Sequence, residues 1–120
     1  MTLLPLEMRK IALVVEDDPD QRALVTLLLE ESDLRVVGCA SADAALAVMQ
    51  YTGLEVALVF ADIRLPGLRD GVDLARHVAA HWPNTKIVVT SGGPLRDDLP
   101  GGATFLAKPW RALDVLAQVA

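Results

Sequence analysis

Five short apolar runs punctuate the chain: 11–15 (IALVV), 34–39 (LRVVGC), 56–61 (VALVFA), 86–90 (KIVVT) and 103–107 (ATFLA). Runs of this length with little polar alternation predict strands buried on both faces, as in a parallel sheet. Helical patterns separate them. Asp18 can cap a helix whose first residue is Pro19, where the missing N–H costs nothing. That helix is expected to reach about residue 31, with Leu24, Leu27 and Leu28 facing inward. Ser41 caps a second helix, 42–51, which Gly53 breaks. Asp70 caps a third, ending at Trp82-Pro83. The stretch SGGPLRDDLPGG, 91–102, has two glycine pairs and two prolines, and permits at most a short helix around 95–99. A last helix is expected from about Trp110 to the end.

Strand and helix thus alternate five times, which predicts right-handed crossovers and an α/β fold. The expected architecture is a five-stranded parallel sheet of order 2-1-3-4-5, helices on both faces (flavodoxin-like, doubly wound), with a shortened fourth helix. In such sheets the functional crevice lies beyond the carboxyl ends of the strands, where strand order reverses. Here that is between the first and third strands.

Length and composition narrow the function classes. At 120 residues the chain is expected to be one domain, 1–120, with an N-terminal extension over 1–9 and no output domain. Net charge is −5 and no basic run is interleaved with aromatics, which argues against direct nucleic-acid binding. The single cysteine, Cys39, excludes an internal disulfide and suits a reducing compartment. Residues 1–9 do not read as a signal peptide, and no apolar run approaches membrane-spanning length, so no membrane insertion is expected. The expected location is cytoplasmic.

The polar residues that end the runs carry the chemistry. The third run ends in Asp62, followed by Leu65-Pro66-Gly67, which turns the chain. A charge at the tip of a buried strand is costly unless something uses it. The first run ends in Glu16, Asp17 and Asp18; Thr90 and Lys108 end the fourth and fifth. Several carboxylates at one crevice raise one another's pKa unless a cation sits between them, and all-oxygen ligands with retained waters suit Mg²⁺. A lysine and a threonine hydroxyl at the same rim are partners for phosphate oxygens. Together these groups make a phosphoryl-transfer site with an acyl-phosphate product. Asp18 can serve as a helix cap, as a metal-site residue, or as both.

The motifs VVEDDP after the first strand, an Asp before I-x-L-P-G, V-T-S ending the fourth strand and F-L-A-K-P near the end occur in this order. With them the chain resembles the receiver domains of bacterial two-component response regulators, the CheY-like superfamily, over nearly its whole length. The resemblance implies that Asp62 accepts a phosphoryl group from the phosphohistidine of a sensor histidine kinase or histidine phosphotransfer protein, switching the binding of a downstream protein target. It implies that Glu16, Asp17, Asp62 and the backbone carbonyl of Arg64 hold Mg²⁺, and that Thr90 and Lys108 hold the phosphoryl oxygens. Thr90 and Phe105 would form the switch, and the Lys108–Pro109 peptide bond would be cis. The protein would not be an enzyme beyond self-phosphorylation and self-dephosphorylation.

Other readings compete with this one. A Mg²⁺-dependent aspartyl-phosphate phosphatase usually has a second Asp two residues after the nucleophile, where this chain has Arg64. A degenerate receiver would act as an interaction domain only. His77 and His81, at i and i+4, lack the H-E-x-x-H pattern and read as a solvated helix face. Cys39 reads as a small buried apolar residue, and Trp110 as a packing residue near the site. Two departures from the family bear on output: Arg69 is an extra residue in the loop after Asp62, and only seventeen residues separate Thr90 from Lys108. The last helix has surplus apolar residues around Arg111, Asp114 and Gln118. Val25 and Leu29 lie outside the expected inward row of the first helix, so a homodimer or partner contact through the first and last helices is expected.

Overall fold

The apolar runs pair side by side into one parallel sheet. Its strands are β1 (Ile11–Val15), β2 (Arg35–Cys39), β3 (Val56–Asp62), β4 (Lys86–Ser91) and β5 (Thr104–Ala107), in the predicted order β2-β1-β3-β4-β5. The computed structural model describes residues 4–95 and 97–119. The start of the expected N-terminal extension, Arg96 and the last residue of the expected final helix lie outside them. The crossovers are α1 (Pro19–Glu30), α2 (Ala42–Thr52) and α3 (Gly71–His81); α4 (Ala112–Leu116) follows β5.

Successive strand residues point to opposite faces, so each strand feeds two cores. Ile11, Leu13, Val15, Val59 and Val89 pack with Met49 of α2 and with Leu74 and Val78 of α3. Ala12, Val14, Leu58 and Val88 pack with Val25 and Leu29 of α1 and Val115 of α4. Covering both faces is what makes the central strands read as unbroken apolar runs. The caps are those expected: Asp18, Ser41 and Asp70 each accept backbone N–H groups of the first turn they precede.

Three expectations need correction. In α1 the inward row is Val25 and Leu29, with Leu28 partly buried beside them; Leu24 and Leu27 are 51% and 64% exposed. Four of the six residues 24–29 are leucine, so composition left the face ambiguous, and the i, i+4 pair that fits over Val14 and Leu58 fixed it. The last helix is five residues, not the whole tail. After Leu116 the Gln118 and Val119 N–H groups bond back three residues, to Val115 and Leu116, which tightens the chain into a turn. Trp110 therefore precedes α4, and the residues left exposed on the first and last helices are Leu24, Leu27 and Leu113, rather than Val25 and Leu29. Finally, the shortened fourth helix is shortened to nothing among the described residues of 92–103. Pro94, Pro100 and the glycine pairs deny it a helical run. The segment is held instead by the Arg76 guanidinium on the Asp98 carbonyl at 2.9 Å and by a turn closing Ala103 N–H on Pro100.

Candidate active site

The register of the sheet places the polar strand ends side by side. Val15 lies opposite Ala61, Asp62 opposite Thr90, and Ser91 opposite Ala107. Glu16, Asp62, Thr90 and Lys108 therefore emerge along one rim. The backbone ladder runs on past the apolar residues: Glu16 N–H bonds to Cys39, Ile63 N–H to Thr90 and Lys108 N–H to Ser91, each at 2.9 Å. The rim is rigid because it continues the sheet. Gly71, at the start of α3, lies so close to the end of β3 that a Cβ there would run into the carbonyl oxygen of Asp62; its N–H bonds the Ile63 carbonyl at 2.8 Å.

Asp62 is the centre of the cluster. One carboxylate oxygen accepts from the Arg64 N–H at 3.0 Å and the other from the Lys108 ammonium at 2.7 Å. The ammonium lies 4.0 Å from Glu16 and donates also to Gln21 at 2.8 Å. Burial pushes Glu16 up, and the neighbouring Asp62 carboxylate adds to this, raising it from 4.5 to about 7. Burial also opposes ionisation of Asp62. There it is outweighed by the neighbouring Glu16 and by hydrogen bonds from Lys108 and the Arg64 N–H, which hold Asp62 below the usual range. Asp62 is the more anionic of the two.

Glu16, Thr90 and Trp110 bring three further polar atoms to this place: Glu16 Oε2, Thr90 Oγ1 and Trp110 Nε1, buried and without partners in the protein. All three residues line a cavity of about 10 Å³ together with Asp62, Lys108 and Gln21, room for about one water molecule. Trp110 meets Phe60 edge to face, with ring centres 6.1 Å apart. The Lys108–Pro109 peptide bond is cis.

The donor set fits a hard divalent ion. Glu16 and Asp62 offer only oxygens, one Glu16 oxygen has no partner, and the raised Glu16 pKa marks negative charge that a cation would neutralise. Asp17 is exposed, although its charge reaches Glu16, and no three carboxylates among the described residues are close enough to share one ion. Two carboxylates suffice for an ion that keeps most of its waters. Asp18 is engaged as the α1 cap, accepting from Asp20 N–H at 2.9 Å and Gln21 N–H at 3.3 Å. Arg64 is exposed, and Phe105 is half-buried opposite Val89, away from the cavity beside Thr90. Gln21 was not singled out from sequence: a glutamine in the first turn of a helix carries no signal until the fold brings Lys108 to it.

The chain that carries this arrangement matches a known family. Residues 12–120 match the response regulator receiver domain, and the chain belongs to that family. It is a receiver domain of two-component signalling. Over 111 residues it is 31% identical to protein PetR of Rhodobacter capsulatus, an alignment covering 89% of this chain and 46% of PetR. Over 118 residues it is 30% identical to the DNA-binding response regulator MtrA of Mycolicibacterium smegmatis, covering 93% and 50%. The chain thus spans half or less of these relatives. The receiver domain of NtrX from Brucella abortus superposes with a TM-score of 0.72 at 30% identity, covering 88% of this chain and 92% of that one. Response regulator receivers work with histidine kinases and effector domains, and no helix among the described residues is long and apolar enough to cross a membrane.

Proposed function

We propose that this receiver is a cytoplasmic phosphoacceptor: Asp62 takes a phosphoryl group from the phosphohistidine of a sensor histidine kinase or histidine phosphotransfer protein and thereby changes the binding of a downstream protein. The observation that carries the reading is the Lys108 ammonium 2.7 Å from the buried carboxylate of Asp62 at the end of β3, with Glu16 beside them.

An Asp62 carboxylate oxygen attacks phosphorus, a P–O bond forms, the P–N bond to the donor imidazole breaks, and the imidazole leaves with the electron pair. Glu16 and Asp62 would hold Mg²⁺ directly, with Asp17 acting through the ion's waters and the Arg64 carbonyl completing the set; the ion would supply charge neutralisation for the transferring phosphoryl group. Lys108 turns its ammonium from the carboxylate to a phosphoryl oxygen. Thr90, with a hydroxyl free of other partners, offers the second hydrogen bond, and Phe105 follows it as the switch. Exposed Leu24, Leu27 and Leu113 carry the expected partner or dimer contact of α1 and α4.

The test uses phosphoramidate, a small P–N donor, with intact-mass detection. The wild type gains one phosphoryl group with Mg²⁺ and none when divalent ions are chelated, and Asp62→Asn gains none. Equal gain in Asp62→Asn, or none in the wild type when Mg²⁺ is measurably bound, contradicts the proposal.

A further inference from the structure

Lys108 does not meet Asp62 alone. Its ammonium donates to Asp62 at 2.7 Å and to the side-chain oxygen of Gln21 at 2.8 Å, with Glu16 at 4.0 Å. An ammonium has no acceptor, so the Gln21 amide must turn its oxygen to Lys108 and its nitrogen away. The nitrogen donates to Asp18 at 3.4 Å, the carboxylate that caps α1 through its other oxygen. Gln21 thus bridges the end of the edge strand β5 to the first turn of α1, two segments 87 residues apart in the chain.

We infer that Gln21 is a positioning residue for phosphoryl transfer, holding the Lys108 ammonium over Asp62 before the reaction and over the phosphoryl oxygens after it. The inference rests on reading Asp62 as the phosphoacceptor. Lys108 needs such an anchor. It stands past the end of an edge strand that is only half-buried, its side chain is 22% exposed, and its four-carbon stem has many rotamers. Asp62 cannot hold it throughout, because the Asp62 charge passes to the phosphoryl oxygens as the bond forms. An anchor that stays unchanged through the step keeps one N–H fixed while the other two exchange acceptors, which is preorganisation of the kind that lowers barriers.

The chemistry of the amide suits the place. A glutamate at this position would add negative charge beside Glu16, Asp17 and Asp62 and compete with Asp62 for the ammonium. A neutral carbonyl oxygen orients the lysine without drawing it off. Its own fixing by Asp18 ties the geometry of the site to the α1 cap.

Gln21→Met keeps the length of the side chain and removes the acceptor. The expected result is phosphorylation by acetyl phosphate about tenfold slower at saturating Mg²⁺, the size of effect set by one hydrogen bond to a charged group, with an unchanged thermal unfolding midpoint. The readout that a merely structural role would not move is the ammonium resonance of Lys108 in ¹⁵N-edited NMR, assigned by its loss in Lys108→Arg. It is sharp in the wild type, broadened or lost in Gln21→Met, and restored in Gln21→Glu. Wild-type rates and an unchanged resonance in Gln21→Met overturn the inference. If the wild type takes up no phosphoryl group, the reading of Asp62 has failed, and the resonance still decides whether Gln21 holds Lys108.

Discussion

Glu16 and Asp62 sit in one buried cluster yet titrate in opposite directions, and this makes the residue scale the most testable. Glu16 is raised from 4.5 to about 7. Between those values the folded chain keeps a proton that the unfolded chain has released, so the stability this group contributes is full below about 4.5 and lost as pH rises through about 7. With divalent ions chelated, the thermal midpoint therefore falls from about pH 5 to about pH 7.5, and Glu16→Gln removes that slope. Asp62, held below 3.8, contributes in the opposite sense: its share is present above 3.8 and lost as pH falls through its folded pKa. Thr90 offers a second test. Its hydroxyl is buried, has no partner in the protein and faces the water-sized cavity. Thr90→Val, close in shape, keeps the stability of the unphosphorylated protein within about 1 kcal/mol in urea unfolding while weakening the response to phosphorylation.

At the scale of elements, α1 separates two readings of the same leucines. Leu29 is fully buried and Leu27 is 64% exposed. Leu29→Ala costs about 2–4 kcal/mol of unfolding free energy, and Leu27→Ala stays within about 0.5 kcal/mol. The reverse order would restore the inward row expected from sequence. The five strands and three capped helices were legible because each obeys a local rule: an unbroken apolar run, or a capping residue before a helix former. The face of α1 was not, because a leucine-rich helix looks apolar all round until the sheet selects one side. The length of α4 was not either, since Ala, Leu and Val continue past Leu116 and only i, i+3 bonding after it ends the helix. The candidate site was legible as far as strand ends can show it. Gln21 was outside that logic, because its partner lies across the fold. At the junction of β3 and α3, Gly71→Ala forces a methyl group against Asp62 and Ile63 backbone. It costs about 1–3 kcal/mol and slows phosphoryl uptake by displacing the strand end that carries the acceptor.

For the whole molecule, the sheet is a rigid body whose carboxyl edge gathers charge. Everything proposed here depends on one consequence, that Asp62 is the residue on which a phosphoryl group arrives. No helix lies between β4 and β5 among the described residues, and in β5 Thr104, Phe105 and Leu106 are half-buried while Ala107 is exposed. On the proposed reading, a partner that senses phosphorylation would find a different surface there, while Asp62 at the end of β3 and Lys108 just past β5 stand as before. The direct measurement is to treat the protein with acetyl phosphate and Mg²⁺, reduce the product with borohydride, which converts an aspartyl phosphate to homoserine, and map the digest by mass spectrometry. Homoserine at position 62, appearing only with Mg²⁺ and nowhere else in the chain, is the predicted result. An unreduced Asp62, or homoserine at Glu16's neighbour Asp17 instead, contradicts the account.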